Sequence, residues 1–425
     1  MAAPKLRFKE FDQKWGVDAL QDQIDFLAGY AFDSKLMSNE PQKYQLIKMS
    51  NVYQNQLDLT RNPSYWTNID SKIEKFLLKK GDIVLTLTGT VGKTDYGYNV
   101  EIDKDDKFLL NQRLVRLRAK QDLSDSKFIQ YRISTDKFFY HFFYSSKGGT
   151  GNQSNVSIED LKQLELNFPS KAEQTKIASF LSAVDEKISQ LTQKHELLSQ
   201  YKQGMMQKLF SQEIRFKADD GSEFGEWEEK TLIDSVDTNI KWSFTGGPFG
   251  SNLKSEDYTE LGIRIIQLQN IGDGAFLNDY KIYTSPEKAN ELLSCNIYPD
   301  EILISKMGDP VARCCIVPKH HDRYVMCSDG IRLVVDKQNY SSIFMFYQIN
   351  YQDFRQSASD VSTGSTRKRI GLSDLKQLPI KVPCLEEQTK IANFLSAIDQ
   401  KVEVVAQQIE QAKQWKKGLL QQMFV

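Results

Sequence analysis

Thr88-Gly89-Thr90-Val91-Gly92-Lys93-Thr94 is the segment nearest to a phosphate loop: it follows a strand-like run, Asp82 to Leu87, and ends in Gly-Lys-Thr. The pattern GxxxxGK[ST] needs a glycine where Leu87 stands, so the backbone wrap that cradles phosphates is missing. Asn62-Pro63-Ser64-Tyr65 is similar to the box with which amino-methyltransferases hold a target amine. No glycine-rich loop for a methyl donor precedes it, and it reads as a polar turn. No carboxylate cluster of the PD-D/ExK kind stands out, and four histidines without HExxH disfavour a metal enzyme. If the protein takes part in chemistry, that chemistry belongs to a partner.

The residue types that remain suit recognition. Lys147 to Asn155 (KGGTGNQSN) offers a cation, small residues for close approach, and amides; its candidates are Lys147, Thr150, Asn152, Gln153 and Asn155. Ser362 to Arg369 (STGSTRKR) offers hydroxyls and three cations; its candidates are Thr363, Ser365, Thr366, Arg367, Lys368 and Arg369. Lysine and arginine neutralise phosphates, whereas Gln, Asn and Arg can read base edges. Further candidates flank strand-like runs: Gln112 and Arg113, Asp329 and Arg332, then Lys93, Lys306 and Arg313, and in early turns Lys35 and Lys254. The plain alternative for each is a solvated surface charge or loop.

The elements that must position these residues are written twice. KAEQTKIASFLSAVDEKI (Lys171 to Ile188) returns as EEQTKIANFLSAIDQKV (Glu386 to Val402), an offset of 214 residues. Leu-Lys-Gln-Leu and a proline precede both copies, at Leu161 to Leu164 with Pro169 and at Leu375 to Leu378 with Pro383. YKQGMMQKLF and WKKGLLQQMF follow them. Even the lead-ins echo each other: Arg7, Phe8 and Trp15 are answered by Arg215, Phe216 and Trp227. The period is too long for a solenoid and indicates two large similar modules.

Each repeated block has one apolar seam stepping by four and three. The first runs through Ile177, Leu181, Val184, Ile188, Leu191, His195, Leu198, Lys202, Met205 and Leu209, and the second through the matching positions from Ile391 to Met423. The spacing predicts helices of about 34 residues, roughly 50 Å long. A single helix with such a stripe has nowhere to bury it, so an antiparallel pair is expected, with the modules at its opposite ends in approximate twofold symmetry. Homodimerisation through the stripes is the competing use. The blocks between are strand-rich. LLKKGDIVLTLTGTVG (Leu77 to Gly92) answers IYPDEILISKMGDPV (Ile297 to Val311), Asn111 to Leu117 answers Ser328 to Leu333, and an aromatic helical stretch follows in each.

The expected fold is therefore α+β: two similar, mixed, strand-rich modules separated by two long antiparallel coiled-coil helices in a pseudo-twofold repeat. The divisions are 1–160, 161–210, 211–374 and 375–425. A length of 425 residues has room for that, and a net charge of −1 leaves local patches to decide contacts. Five cysteines without a disulfide framework fit a reducing compartment. The start MAAPKLRFKEF has no apolar signal core, and no run of eighteen apolar residues occurs, so a cytoplasmic protein without a membrane span is expected.

On the residues of Leu161 to Tyr201 and Leu375 to Trp415, the arrangement resembles the specificity subunit of type I restriction-modification enzymes. The resemblance implies that each variable block is a target recognition domain reading half of a split, asymmetric sequence in double-stranded DNA. It implies that the chain is non-catalytic and holds no cofactor. It also implies that two modification (methyltransferase) subunits carrying S-adenosylmethionine dock on the helical regions, and that two restriction (motor and nuclease) subunits using ATP and Mg join them. Phe180, Tyr201, Phe394 and Trp415, bulky and repeated off the strict seam, are either a widened core or the contact for the modification subunits. The alternative function is a two-headed scaffold that joins two partner subunits without touching DNA.

Overall fold

The computed structural model describes residues 4–91, 93–144, 147–148, 153–364 and 367–424, the side chains of 147, 148 and 153 excepted. The chain divides into two units, Met1–Gln193 with Ala406–Val425, and Lys194–Val405. The repeated blocks form helices α1 (Lys171–Phe210) and α2 (Leu385–Met423), of 40 and 39 residues. Both exceed the expected length because they start before the first seam residue, only two residues after Pro169 and Pro383. Each unit takes the start of one helix and the end of the other, and within each the two stretches run antiparallel.

The seams are interior. Ile177, Leu181, Val184 and Leu191 are buried, as are Ile391, Leu395, Ile398 and Val405. The charged seam positions have partners: Lys416 pairs with Asp185 in the first unit, and Lys202 with Asp399 in the second, both at 2.5 Å. The ammonium groups thus end on carboxylates while their stems cover apolar surface.

The same four-stranded antiparallel sheet is built in each unit. In the first, β1 (Ile24–Ala28), β2 (Ile83–Thr86), β3 (Asn99–Glu101) and β4 (Leu114–Ala119) lie in the order β1-β4-β2-β3. In the second, β5 (Phe244–Gly246), β6 (Ile302–Ser305), β7 (Cys314–Ile316) and β8 (Gly330–Leu333) lie in the order β5-β8-β6-β7. The runs IVLT and ILIS are buried throughout, so the central strands read as continuous apolar segments. The units differ in a second sheet, which has three strands in one and five in the other.

The conserved letters of the repeat are joints between helix and strand-rich block. Glu173 is buried and accepts from Arg7 Nε and Nη2, both at 2.7 Å, and from Trp15 Nε1 at 3.2 Å. Glu387 accepts from Arg215 at 3.1 and 2.7 Å and from Trp227 at 3.2 Å. The next residue spans the same gap twice: Gln174 accepts from the Asp125 N–H at 3.0 Å, and Gln388 from that of Ser341 at 2.9 Å. Tyr131 donates to Asp185 at 2.7 Å, and Tyr347 to Asp399 at 2.6 Å. Burial and the adjacent carboxylate both raise these phenols above their ordinary range, so each stays a neutral donor.

Candidate nucleic-acid interface

At one end of each four-stranded sheet, three chain segments meet. In the second unit the turn before β8 (Cys327 to Asp329) accepts the Lys306 N–H on the Asp329 carbonyl at 2.6 Å. The turn after β6 begins at Lys306, and its Gly308 N–H reaches the Lys368 carbonyl at 3.0 Å. The third segment, Thr363 to Arg369, closes on itself through the Thr363–Arg369 bridge and bridges Met307 through Arg369. Main-chain hydrogen bonds therefore fix a corner carrying Lys306, Arg313, Arg367, Lys368 and Arg369.

The first unit repeats this construction. Leu87 N–H donates to the Arg113 carbonyl at 3.2 Å, and Val156 N–H to the Leu87 carbonyl at 3.0 Å. Thr88–Thr90 pairs with Gln153–Asn155, which pairs with Lys147–Gly148. Thr88–Thr90 is thus a strand rather than the start of a phosphate loop, and residues 93–98 form no helix to follow one. Asn62 to Tyr65 is a turn entering the strand Tyr65–Trp66, with the Ser64 hydroxyl taken by Lys48 at 2.7 Å.

The placements sort the candidates. Lys93, Gln112, Arg113 and Asn155 are exposed at the first corner, and Arg113 sits at φ 68°, where the turn before β4 reverses. Arg367, Lys368 and Arg369 are exposed at the second, with Lys306 and Arg313 half-buried beside them. Arg313 Nε is buried without a hydrogen-bond partner among the described residues. Arg369 is ion-paired with Asp329, and Lys368 bonds the Ser359 hydroxyl. Asp329 is therefore a restraint on a cation. Thr363 is exposed on the bridge.

Lys35 and Lys254 are exposed but belong to separate short turns, Lys35 within Ser34–Leu36 and Lys254 capping Ser255–Asp257. Thr150, Asn152, Ser365 and Thr366 lie outside the described residues, as do the side chains of Lys147 and Gln153. One expectation is corrected. Arg332 is not at the surface: it is 4% exposed in β8 and holds Glu301 through two bonds of 2.7 and 2.6 Å. A buried arginine spent on a carboxylate has no fork left for a base.

Of the helix aromatics, Phe180 packs edge-on against Phe8 and Trp415, with ring centres at 5.8 and 6.0 Å, and Phe394 against Phe216 at 5.7 Å. These two phenylalanines widen the internal core. Tyr201 and Trp415 remain 50% and 54% exposed at equivalent helix positions. No group of His, Cys, Asp or Glu among the described residues could hold a metal ion. Burial pushes the Cys327 thiol up to about 11 and that of Cys315 to about 12, so neither is a nucleophile near neutrality. No helix is long and apolar enough to cross a membrane among the described residues.

Comparison with known proteins gives a consistent result. The family described as type I restriction modification DNA specificity domain matches residues 12–200 and again 269–414. A Methanocaldococcus jannaschii protein, provisionally named type I restriction enzyme MjaX specificity subunit, is 26% identical over 98% of this chain and 94% of its own length. The type I restriction enzyme MjaVIII specificity subunit of the same organism is 26% identical over 82% of this chain and 79% of its own. Among solved structures, the type I restriction-modification S subunit from M. genitalium shares the fold with a TM-score of 0.59 at 20% identity, covering 100% of this chain and 99% of the other.

Proposed function

We propose, from the premise that the chain belongs to the type I restriction-modification DNA specificity family, that it reads a bipartite, asymmetric duplex target, one half with each unit. As a specificity subunit it is the DNA-recognition component and has no catalytic role of its own. The observation that carries the bipartite reading is the corner built twice by the same main-chain bonds and furnished with different side chains. Lys93, Gln112, Arg113 and Asn155 face outward from one, and Lys306, Arg313, Arg367, Lys368 and Arg369 line the other. A shared frame with unlike side chains suits two readers of unlike half-sites.

The partners in this reading are two modification subunits that bring S-adenosylmethionine, and two restriction subunits that bring ATP- and Mg-dependent translocation and cleavage. Trp415 and Tyr201, half-exposed on long helices, supply large apolar surface for docking the modification subunits. Exchange of residues 1–160 for the corresponding block of another specificity subunit tests the division. The assembled complex should keep one half-site and change the other; a change in both halves would show that the units do not read independently.

A further inference from the structure

The loop leaving β5 reads Gly246-Gly247-Pro248-Phe249-Gly250. Phe249 is 81% exposed, whereas most phenylalanines of this chain are buried or half-buried. Its position is nevertheless fixed. Gly247 N–H donates to the Gly330 carbonyl at 2.8 Å, and a Cβ at Gly247 would stand 1.7 Å from the Cys327 carbonyl oxygen. Only glycine lets the loop pass that close to the turn before β8. The loop then closes with Asn252 N–H on the Phe249 carbonyl at 2.8 Å.

Gly247 therefore ties the loop to the turn whose Asp329 pairs with Arg369 and accepts from Lys306. An apolar ring is held out in water at the same sheet end as five cations. Exposing such a ring forgoes the free energy of its burial, and the charge beside it selects a polyanion that also offers flat apolar faces. We propose that Phe249 is an apolar wedge that contacts and partly unstacks one base step in the half-site read by the second unit. Phenylalanines used this way open the duplex while nearby Arg and Lys hold the phosphates. The inference rests on the DNA-reading assignment above and adds a specific contact to it.

The first unit supplies an internal contrast. Gly29 makes the matching approach, donating to the Leu114 carbonyl at 2.9 Å. The aromatics that follow it turn inward: Tyr30 packs against Phe32 and against Phe76, ring centres 5.0 Å apart in both pairs. The wedge belongs to one half-site only.

The experiment uses the complex with modification subunits and duplexes carrying its methylated sequence, with 2-aminopurine placed at successive positions. The wild-type complex should raise fluorescence at one step in the second unit's half-site. Phe249→Ala should abolish that rise and weaken site binding on the order of 10-fold, with unchanged assembly and melting, while Phe249→Trp should retain both. Phe249→Ala that binds and unstacks like wild type overturns the proposal. So does a variant that loses assembly with the modification subunits, which would make Phe249 a protein contact. A wild-type complex with no site preference would instead remove the DNA-reading assignment, and the wedge with it.

Discussion

Glu387→Ala should destabilise the second unit by about 3 kcal/mol, because truncating one partner of a buried ion pair strands the other. The Glu387 side chain is 0% exposed and is the shared acceptor for Arg215 and the Trp227 indole N–H. Arg215 keeps a bond to the Gly225 carbonyl at 2.6 Å, which does not compensate its charge. For a unit of this size the loss corresponds to a melting shift of roughly 6–12 °C. Glu387→Gln retains one acceptor oxygen and should lose less. Thermal melting followed by tryptophan fluorescence checks both, and a Glu387→Ala protein that melts with the parent would refute the clamp. Glu173→Ala should repeat the effect in the first unit, where Arg7 and Trp15 hold the same places.

The second large effect concerns DNA. Replacing Arg367, Lys368 and Arg369 by Ala should weaken binding of the assembled complex by about 1–3 kcal/mol. It should also reduce the slope of log affinity against log salt by roughly 2–3, at ~0.9 for each phosphate that is no longer neutralised. The substitution acts twice, since removing Arg369 releases Asp329, a carboxylate with 15% side-chain exposure, to repel phosphates. Asp329→Ala alone should move affinity the other way by freeing Arg369. Titrations at several salt concentrations measure both, and an unchanged slope in the triple variant would take this corner out of the interface.

Much of this architecture is legible in the sequence because a duplicated chain states its constraints twice. The seam from Ile177 to Leu209 and its copy place two helices by periodicity alone, and central strands such as ILIS are runs too apolar to be surface. The residues that join each helix to the lead-in segment of its unit are visible as repeated letters, Glu173 with Arg7 and Trp15, and Glu387 with Arg215 and Trp227. Their bonds span more than 150 positions and have no local signal. Lys202 and Lys416 look like breaks in the seam because their partners, Asp399 and Asp185, lie on the other helix. Arg332 misleads for the opposite reason: β8 is buried on both faces, and composition cannot tell a paired interior arginine from an exposed one. Phe249 carries no signal of its own, because an apolar residue in a loop reads as core until its exposure is known.

Mapping methylated bases in DNA modified by the chain together with its modification subunits decides whether two unlike readers serve a methylating complex. An interrupted, asymmetric motif with a non-specific gap and one methylated adenine on each strand is expected. A continuous motif, two identical half-sites, or methyl transfer by the purified chain with only donor and DNA added would contradict it.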